Sequence, residues 1–135
     1  MVSGALLTAQ PTALLVEDDP LNLMLIEQWT HMVGMQVIPA QTGREALGEL
    51  SRHAPTIVVT DMHLPDMRAD TLMAEIRRLE TEQGRPAVPV LLLTGSSPED
   101  IDPAFVAQCA QVLYKPVLFE QFAEAVARYC GPPAS

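Results

Sequence analysis

The sequence predicts an α/β fold, one parallel sheet of five strands, doubly wound, with helices on both faces. Two observations lead there. Short apolar runs recur at ALLV (13–16), MQVI (35–38), TIVVT (56–60), VPVLLLT (88–94) and QVLY (111–114). Segments of helical periodicity lie between these runs and after the last. Five strands alternating with five helices suit a parallel sheet covered on both sides. No internal repeat or low-complexity tract interrupts the alternation.

The elements follow in order. The first helix starts after Asp18-Asp19-Pro20, with Asp19 as its cap and the proline in the first turn. Leu21, Leu25, Trp29 and Val33 recur every four residues and predict its core stripe, and Gly34 suits its stop. Leu23, Met24 and Ile26 lie off that stripe, as extra core or as a docking face. Pro39 falls in or after the second strand and predicts a sheet edge, because proline has no ladder donor. Thr42-Gly43-Arg44-Glu45 has the capping-box spacing that opens the second helix, with Leu47 and Leu50 facing inward. The third helix is expected over 69–80, with Leu72, Ile76 and Leu79 inward and Arg77, Arg78 and Glu80 outward. TEQGRPAVP is a loop. The fourth helix, over 98–109, contains Pro103 and should be short or late, with Ser96 and Ser97 as its caps. The fifth is expected over 117–129, with Leu118, Phe122, Val126 and Tyr129 inward.

The 135 residues suit one domain with a real core. It is expected over 12–130, between a loose leader (1–11) and a tail (131–135). The net charge of −9 argues against direct nucleic-acid binding, which runs on Lys and Arg. No apolar run reaches the length of a membrane span, and the start lacks a signal peptide's basic region. Cys109 and Cys130 have no metal or CxxC spacing and read as reduced structural thiols of a cytoplasmic protein.

Polar residues gather at the carboxyl ends of the strands: Glu17-Asp18-Asp19, then Asp61, then Thr94-Gly95-Ser96-Ser97, then Lys115-Pro116. Ligands of doubly wound sheets bind there. Glu17, Asp18 and Asp61 brought together would repel, and a hard divalent cation such as Mg²⁺ would relieve them. Asp61 could then attack phosphorus, while Thr94 and Lys115 held phosphoryl oxygens. Asp19 reads as a cap and not as a metal ligand. The His63 side chain reads as a solvated loop residue, with steering of a water as the weaker alternative. His31 and His53 read as surface residues at helix ends.

These segments resemble the response-regulator receiver domain of two-component signalling. The resemblance covers about residues 12–130 and rests on LLVEDDPLN, TDMHLPDM, LLLTGSS and LYKP, four motifs in order, each at a strand end. It implies a flavodoxin-like (βα)5 sheet of order 2-1-3-4-5, with Asp61 as phosphoacceptor. It implies Mg²⁺ held by Glu17, Asp18, Asp61 and the backbone carbonyl of His63. Thr94 would hold a phosphoryl oxygen, Lys115 would pair with the phosphorylated site, and the Lys115–Pro116 bond would be cis. The implied partner is a histidine kinase or a histidine phosphotransfer protein, with a homodimer as a further expectation. Asn22 and IRRLE with its long following loop resemble receivers inside hybrid sensor kinases, so a stand-alone receiver and an excised one both stay open.

Two stretches depart from the family. Arg68-Ala69 stands where Asp-Gly is common. Val112 stands where an aromatic residue usually swings inward, so that coupling cannot operate in its usual form. The alternative function is therefore an interaction module of receiver fold that phosphate does not switch. A Mg²⁺-dependent phosphohydrolase with an Asp nucleophile fits poorly, because His63 stands where such enzymes carry a second Asp.

Overall fold

The computed structural model describes residues 11–130. Ten elements alternate: β1 (Thr12–Val16), α1 (Pro20–Met32), β2 (Gln36–Ala40), α2 (Gly43–Arg52), β3 (Ile57–Asp61), α3 (Ala69–Gln83), β4 (Val90–Thr94), α4 (Pro103–Gln108), β5 (Gln111–Tyr114) and α5 (Phe119–Cys130). The five strands are parallel, in the order β2-β1-β3-β4-β5, as the resemblance implied. The expected leader lies outside the described residues except for Pro11, whose carbonyl accepts from the Gln36 N–H at 2.9 Å. The expected tail lies outside them too.

Strands buried on both faces divide the core in two. Leu14, Val16, Val58, Val90 and Leu92 face α2, α3 and α4; Ala13, Leu15, Ile57, Val59, Leu91 and Leu93 face α1 and α5. Pro39 lies in edge strand β2, as expected. The Gln36 amide points at the β1 side, so the period of two turns position 39 outward. The missing donor falls where it breaks no ladder bond, and it blunts the edge.

The helix starts obey local chemistry. Asp19 accepts from the Leu21 N–H at 3.1 Å with Pro20 at N1, and Thr42 accepts from the Glu45 N–H at 3.0 Å. Gly34, at φ 86°, ends α1 in a conformation that costs other residues more. The fourth helix is short and late, as Pro103 required. Its cap is Asp102, which accepts from the Ala104 N–H at 3.0 Å. Ser97 instead precedes a 3₁₀ turn over Pro98–Asp100, with no side-chain cap bond.

Three expected faces are corrected. In α1 the buried residues are Leu23, Ile26 and Thr30; of the expected stripe Trp29 and Val33 pack half-buried against the core, whereas Leu21 is 73% exposed and Leu25 45%. This helix is apolar nearly all round, so periodicity alone could not choose its inner face; packing on the sheet chose it. In α5, Leu118 precedes the helix and is exposed, while Phe122, Ala125 and Val126 are buried. In α3, which runs three residues longer than expected, Glu80 is buried beside Ile76. Its carboxylate accepts from the Val88 N–H at 2.7 Å and from Arg77 at 2.8 Å, which ties the loop after α3 to the helix. Glu80→Ala should destabilise the fold by about 1–3 kcal/mol in urea titration, because the Val88 amide loses its acceptor. An unchanged midpoint would mean that water replaces the carboxylate.

Candidate functional site

Parallel β1 and β3 end side by side, with Val16 opposite Thr60. This register delivers Glu17 and Asp18, which follow β1, to Asp61, the last residue of β3. One carboxylate oxygen from each of the three lies within 4.8 Å of the other two. Glu17 is buried, Asp61 half-buried and Asp18 exposed. β5 supplies the counter-charge, since Lys115 Nζ lies 3.4 Å from Asp61 Oδ2 and 3.7 Å from Glu17 Oε1. The Lys115 backbone is fixed by its N–H bond to the Thr94 carbonyl at 2.7 Å. The Lys115–Pro116 peptide is cis, as the resemblance implied.

Burial pushes the Glu17 pKa up, and the Asp61 and Asp18 charges add to that. The Asp19 N–H and Lys115 oppose the rise without cancelling it. Three carboxylates around one ammonium leave negative charge in excess. The donor set is all oxygen and hard, which fits Mg²⁺ or a similar dication.

Asp61 Oδ1 accepts from the Met62 N–H at 2.8 Å, so one carboxylate oxygen is anchored while the other faces Lys115. Thr94 is fully buried, and its hydroxyl accepts from the Ser96 N–H at 3.0 Å. His63 is exposed, and its backbone forms an isolated bridge with Arg68. The geometry thus gathers Glu17, Asp18, Asp61 and Lys115, sets Thr94 at the next strand end, and leaves Asp19 as a helix cap. His31 and His53 are exposed, at the carboxyl ends of α1 and α2. Cys109 is a free thiol whose pKa burial pushes up to about 11, in keeping with a structural role.

Val112 packs, half-buried, against the α2–α3–α4 core layer, and exposed Tyr114 stands two residues further along β5. A cavity of about 230 Å³ adjoins the acids, lined by Leu25, Trp29, Pro116 and Val117 with Glu17 and Lys115 at its polar side. Another, of about 290 Å³, lies at the opposite end of the sheet near Thr56 and Pro89 and touches none of the strand-end acids. Sequence reasoning missed Asp66. Its carboxylate accepts from the Gly43 N–H at 2.9 Å and the Arg44 N–H at 3.0 Å. Nothing in the local pattern pairs residues so far apart.

Comparison with known proteins agrees with this geometry. The virulence sensor protein BvgS of Bordetella pertussis is 32% identical over 126 residues, covering 88% of this chain and 10% of that protein. The sensor protein GacS of Pseudomonas syringae is 25% identical over 122 residues, covering 90% of this chain and 14% of that protein. The chain therefore spans a small part of these relatives' length. Chemotaxis response regulator CheY4 of Vibrio cholerae shares the fold at a TM-score of 0.77 and 22% identity, covering 90% of this chain and 99% of that one. A response regulator receiver domain protein of Clostridium thermocellum also superposes at 0.77, with 21% identity over 89% of this chain and 94% of the other. Residues 13–127 match the response regulator receiver domain, so the chain belongs to that family.

Proposed function

We propose that the chain is a phosphoacceptor switch that takes a phosphoryl group from a phosphohistidine onto Asp61. The observation that carries this is the meeting of Glu17, Asp18 and Asp61 at two strand ends, with Lys115 beside them. Receiver domains generally bind Mg²⁺ at such an acidic pocket. Here Asp18 and Asp61 would hold it directly, Glu17 through water, and the His63 carbonyl would complete the protein ligands. When bound, the cation neutralises the acids and polarises the phosphoryl group.

The Asp61 carboxylate then attacks phosphorus, the P–N bond of the donor breaks, and the imidazole leaves with that electron pair. An acyl phosphate remains on Asp61. Lys115 stays paired with the new phosphoryl charge, and Thr94 would turn from the Ser96 amide to donate to a phosphoryl oxygen. Hydrolysis of the acyl phosphate by water resets the switch. The donor would be a histidine kinase or a histidine phosphotransfer protein of a two-component system, in the cytoplasm or in a cytoplasmic part of a larger sensor.

The exposed Leu21, Met24 and Leu25 of α1 offer a donor an apolar face beside the acids. Of the three residues first considered for docking, only Met24 remains available, since Leu23 and Ile26 are core.

Intact mass after incubation with acetyl phosphate tests the proposal. Wild type should gain one phosphoryl group with Mg²⁺, gain none with EDTA, and gain none as Asp61→Asn. Mg²⁺ binding without an adduct from acetyl phosphate or from a phosphotransfer protein would favour the unswitched interaction module, to which Val112 already points.

A further inference from the structure

We propose that Asp66 is a positioning residue, whose carboxylate pins the loop carrying the His63 carbonyl to the amino end of α2. The inference rests on the phosphoacceptor reading above and deepens it. Between β3 and α3 the chain makes a tight hairpin. The Leu64 N–H donates to the Met67 carbonyl at 3.0 Å, and the Ala69 N–H to the Met62 carbonyl at 2.8 Å. These bonds shape the hairpin but do not fix it to the body of the protein. Met62, Leu64 and Ala69 bury their side chains in the core layer, but Arg68, the residue before α3, makes no side-chain cap bond, so no polar anchor comes from that helix start.

The polar anchor comes from Asp66. Its two carboxylate oxygens take the first two amides of α2, from Gly43 and Arg44, while Thr42 takes the third, from Glu45. A carboxylate on the free amides of a helix start gains both from the hydrogen bonds and from the helix dipole. Burial pushes the Asp66 pKa up, but the Gly43 and Arg44 amides outweigh it and hold the carboxyl below its usual range. The contact is also close. A Cβ on Gly43 would stand 2.5 Å from Met67 Sδ, so the loop lies flush against the helix start.

α2 is itself held. At its other end Arg85, from the loop after α3, donates to the Leu50 carbonyl, and to that of His53 at 3.1 Å. The two loops flanking α3 thus grip α2 with an anion at its amino end and a cation at its carboxyl end, each on the favourable side of the dipole. A loop tied to so fixed a helix keeps its backbone carbonyls in place. The His63 carbonyl stands three residues before Asp66 and two after Asp61.

The experiment measures Mg²⁺ affinity by calorimetry on the full chain, with amide hydrogen exchange of the metal-free protein alongside. Asp66→Ala should weaken Mg²⁺ binding about tenfold, the low end of what outer partners of metal ligands contribute. Exchange should quicken at Leu64 and Ala69 as well as at Gly43 and Arg44. Asp66→Asn keeps one carbonyl acceptor and should bind Mg²⁺ within about threefold of wild type. Asp66→Ala binding Mg²⁺ within about twofold of wild type would overturn the proposal. So would exchange that quickens only at Gly43 and Arg44, since the loop would then hold its own shape. If Asp66→Ala does not fold, Asp66→Ser, whose short side chain cannot span both the Gly43 and Arg44 amides, is judged on the same two readouts by the same limits. Failure of wild type to bind Mg²⁺ would instead sink the phosphoacceptor reading, and the exchange data would still decide the clamp.

Discussion

Glu17→Gln combined with Asp18→Asn is expected to make the metal-free protein more stable and to abolish its stabilisation by Mg²⁺. Glu17 is buried at 4% exposure, and its carboxylate faces two other acids with one lysine to balance them. Replacing such a buried charge by a neutral group of the same shape is often stabilising. A gain of about 1 kcal/mol, or about 3 °C in melting temperature, is expected at neutral pH without metal. Wild type should gain about 2.7 kcal/mol at a Mg²⁺ concentration 100 times its Kd, and the double variant almost nothing.

The pH dependence has a definite sign. Glu17 has a raised pKa in the folded state, so the folded protein holds this proton more tightly than the unfolded chain does. Its contribution therefore becomes unfavourable as pH rises above the ordinary value of 4.5, and levels off above the raised one. The advantage of the double variant should vanish below that window. Asp66 works the other way: its lowered pKa adds stability above the ordinary value of 3.8, lost as pH falls below it. Melting curves with and without Mg²⁺ across this range check both signs. A metal-free variant less stable than wild type would show that the ion pairs of Lys115 outweigh the burial of Glu17.

Phe122→Ala should cost about 3–5 kcal/mol, a large part of the stability of a domain this size. Phe122 is fully buried in the layer under α1 and α5. Its ring centroid lies 5.7 Å from that of Trp29, which also meets Phe119 edge-on at 5.8 Å. Truncation would leave a cavity between two helices and the sheet, and would remove a ring from the protein's one tryptophan. The urea midpoint should fall and the Trp29 emission should shift in the native state. A loss below about 1 kcal/mol would mean that α5 closes over the gap.

What the sequence made legible differs from element to element. The strands β1, β3 and β4 were plain because a strand buried on both faces must be apolar throughout, and only a few residues long; β2 and β5 showed as shorter apolar runs. Pro39 named the edge strand because its chemistry forbids a central place. Asp19, Thr42 and Gly34 marked helix ends through bonds that span two or three residues. The acids, Thr94 and Lys115 were found because the carboxyl ends of parallel strands lie together, whatever separates them in sequence.

The inner faces of α1 and of α5's first turn were not legible. α1 carries apolar residues on more than one side, so its intrinsic periodicity is degenerate, whereas Leu118 was misplaced because α5 starts only at Phe119. Glu80 was misplaced outward because a lone carboxylate resembles a solvent residue until its partner, the Val88 amide, is known.

The sequence by itself thus determined the order of the elements, the edge of the sheet and the residues at its carboxyl end, since each follows from local hydrogen bonding or from a chemical type. Only the tertiary structure decided which side of α1 is buried, that Glu80 is a loop anchor, and that Asp66 seals the start of α2. Those depend on carboxylates meeting amides 8 and 23 residues away in the chain, and on packing between surfaces that local periodicity leaves equivalent.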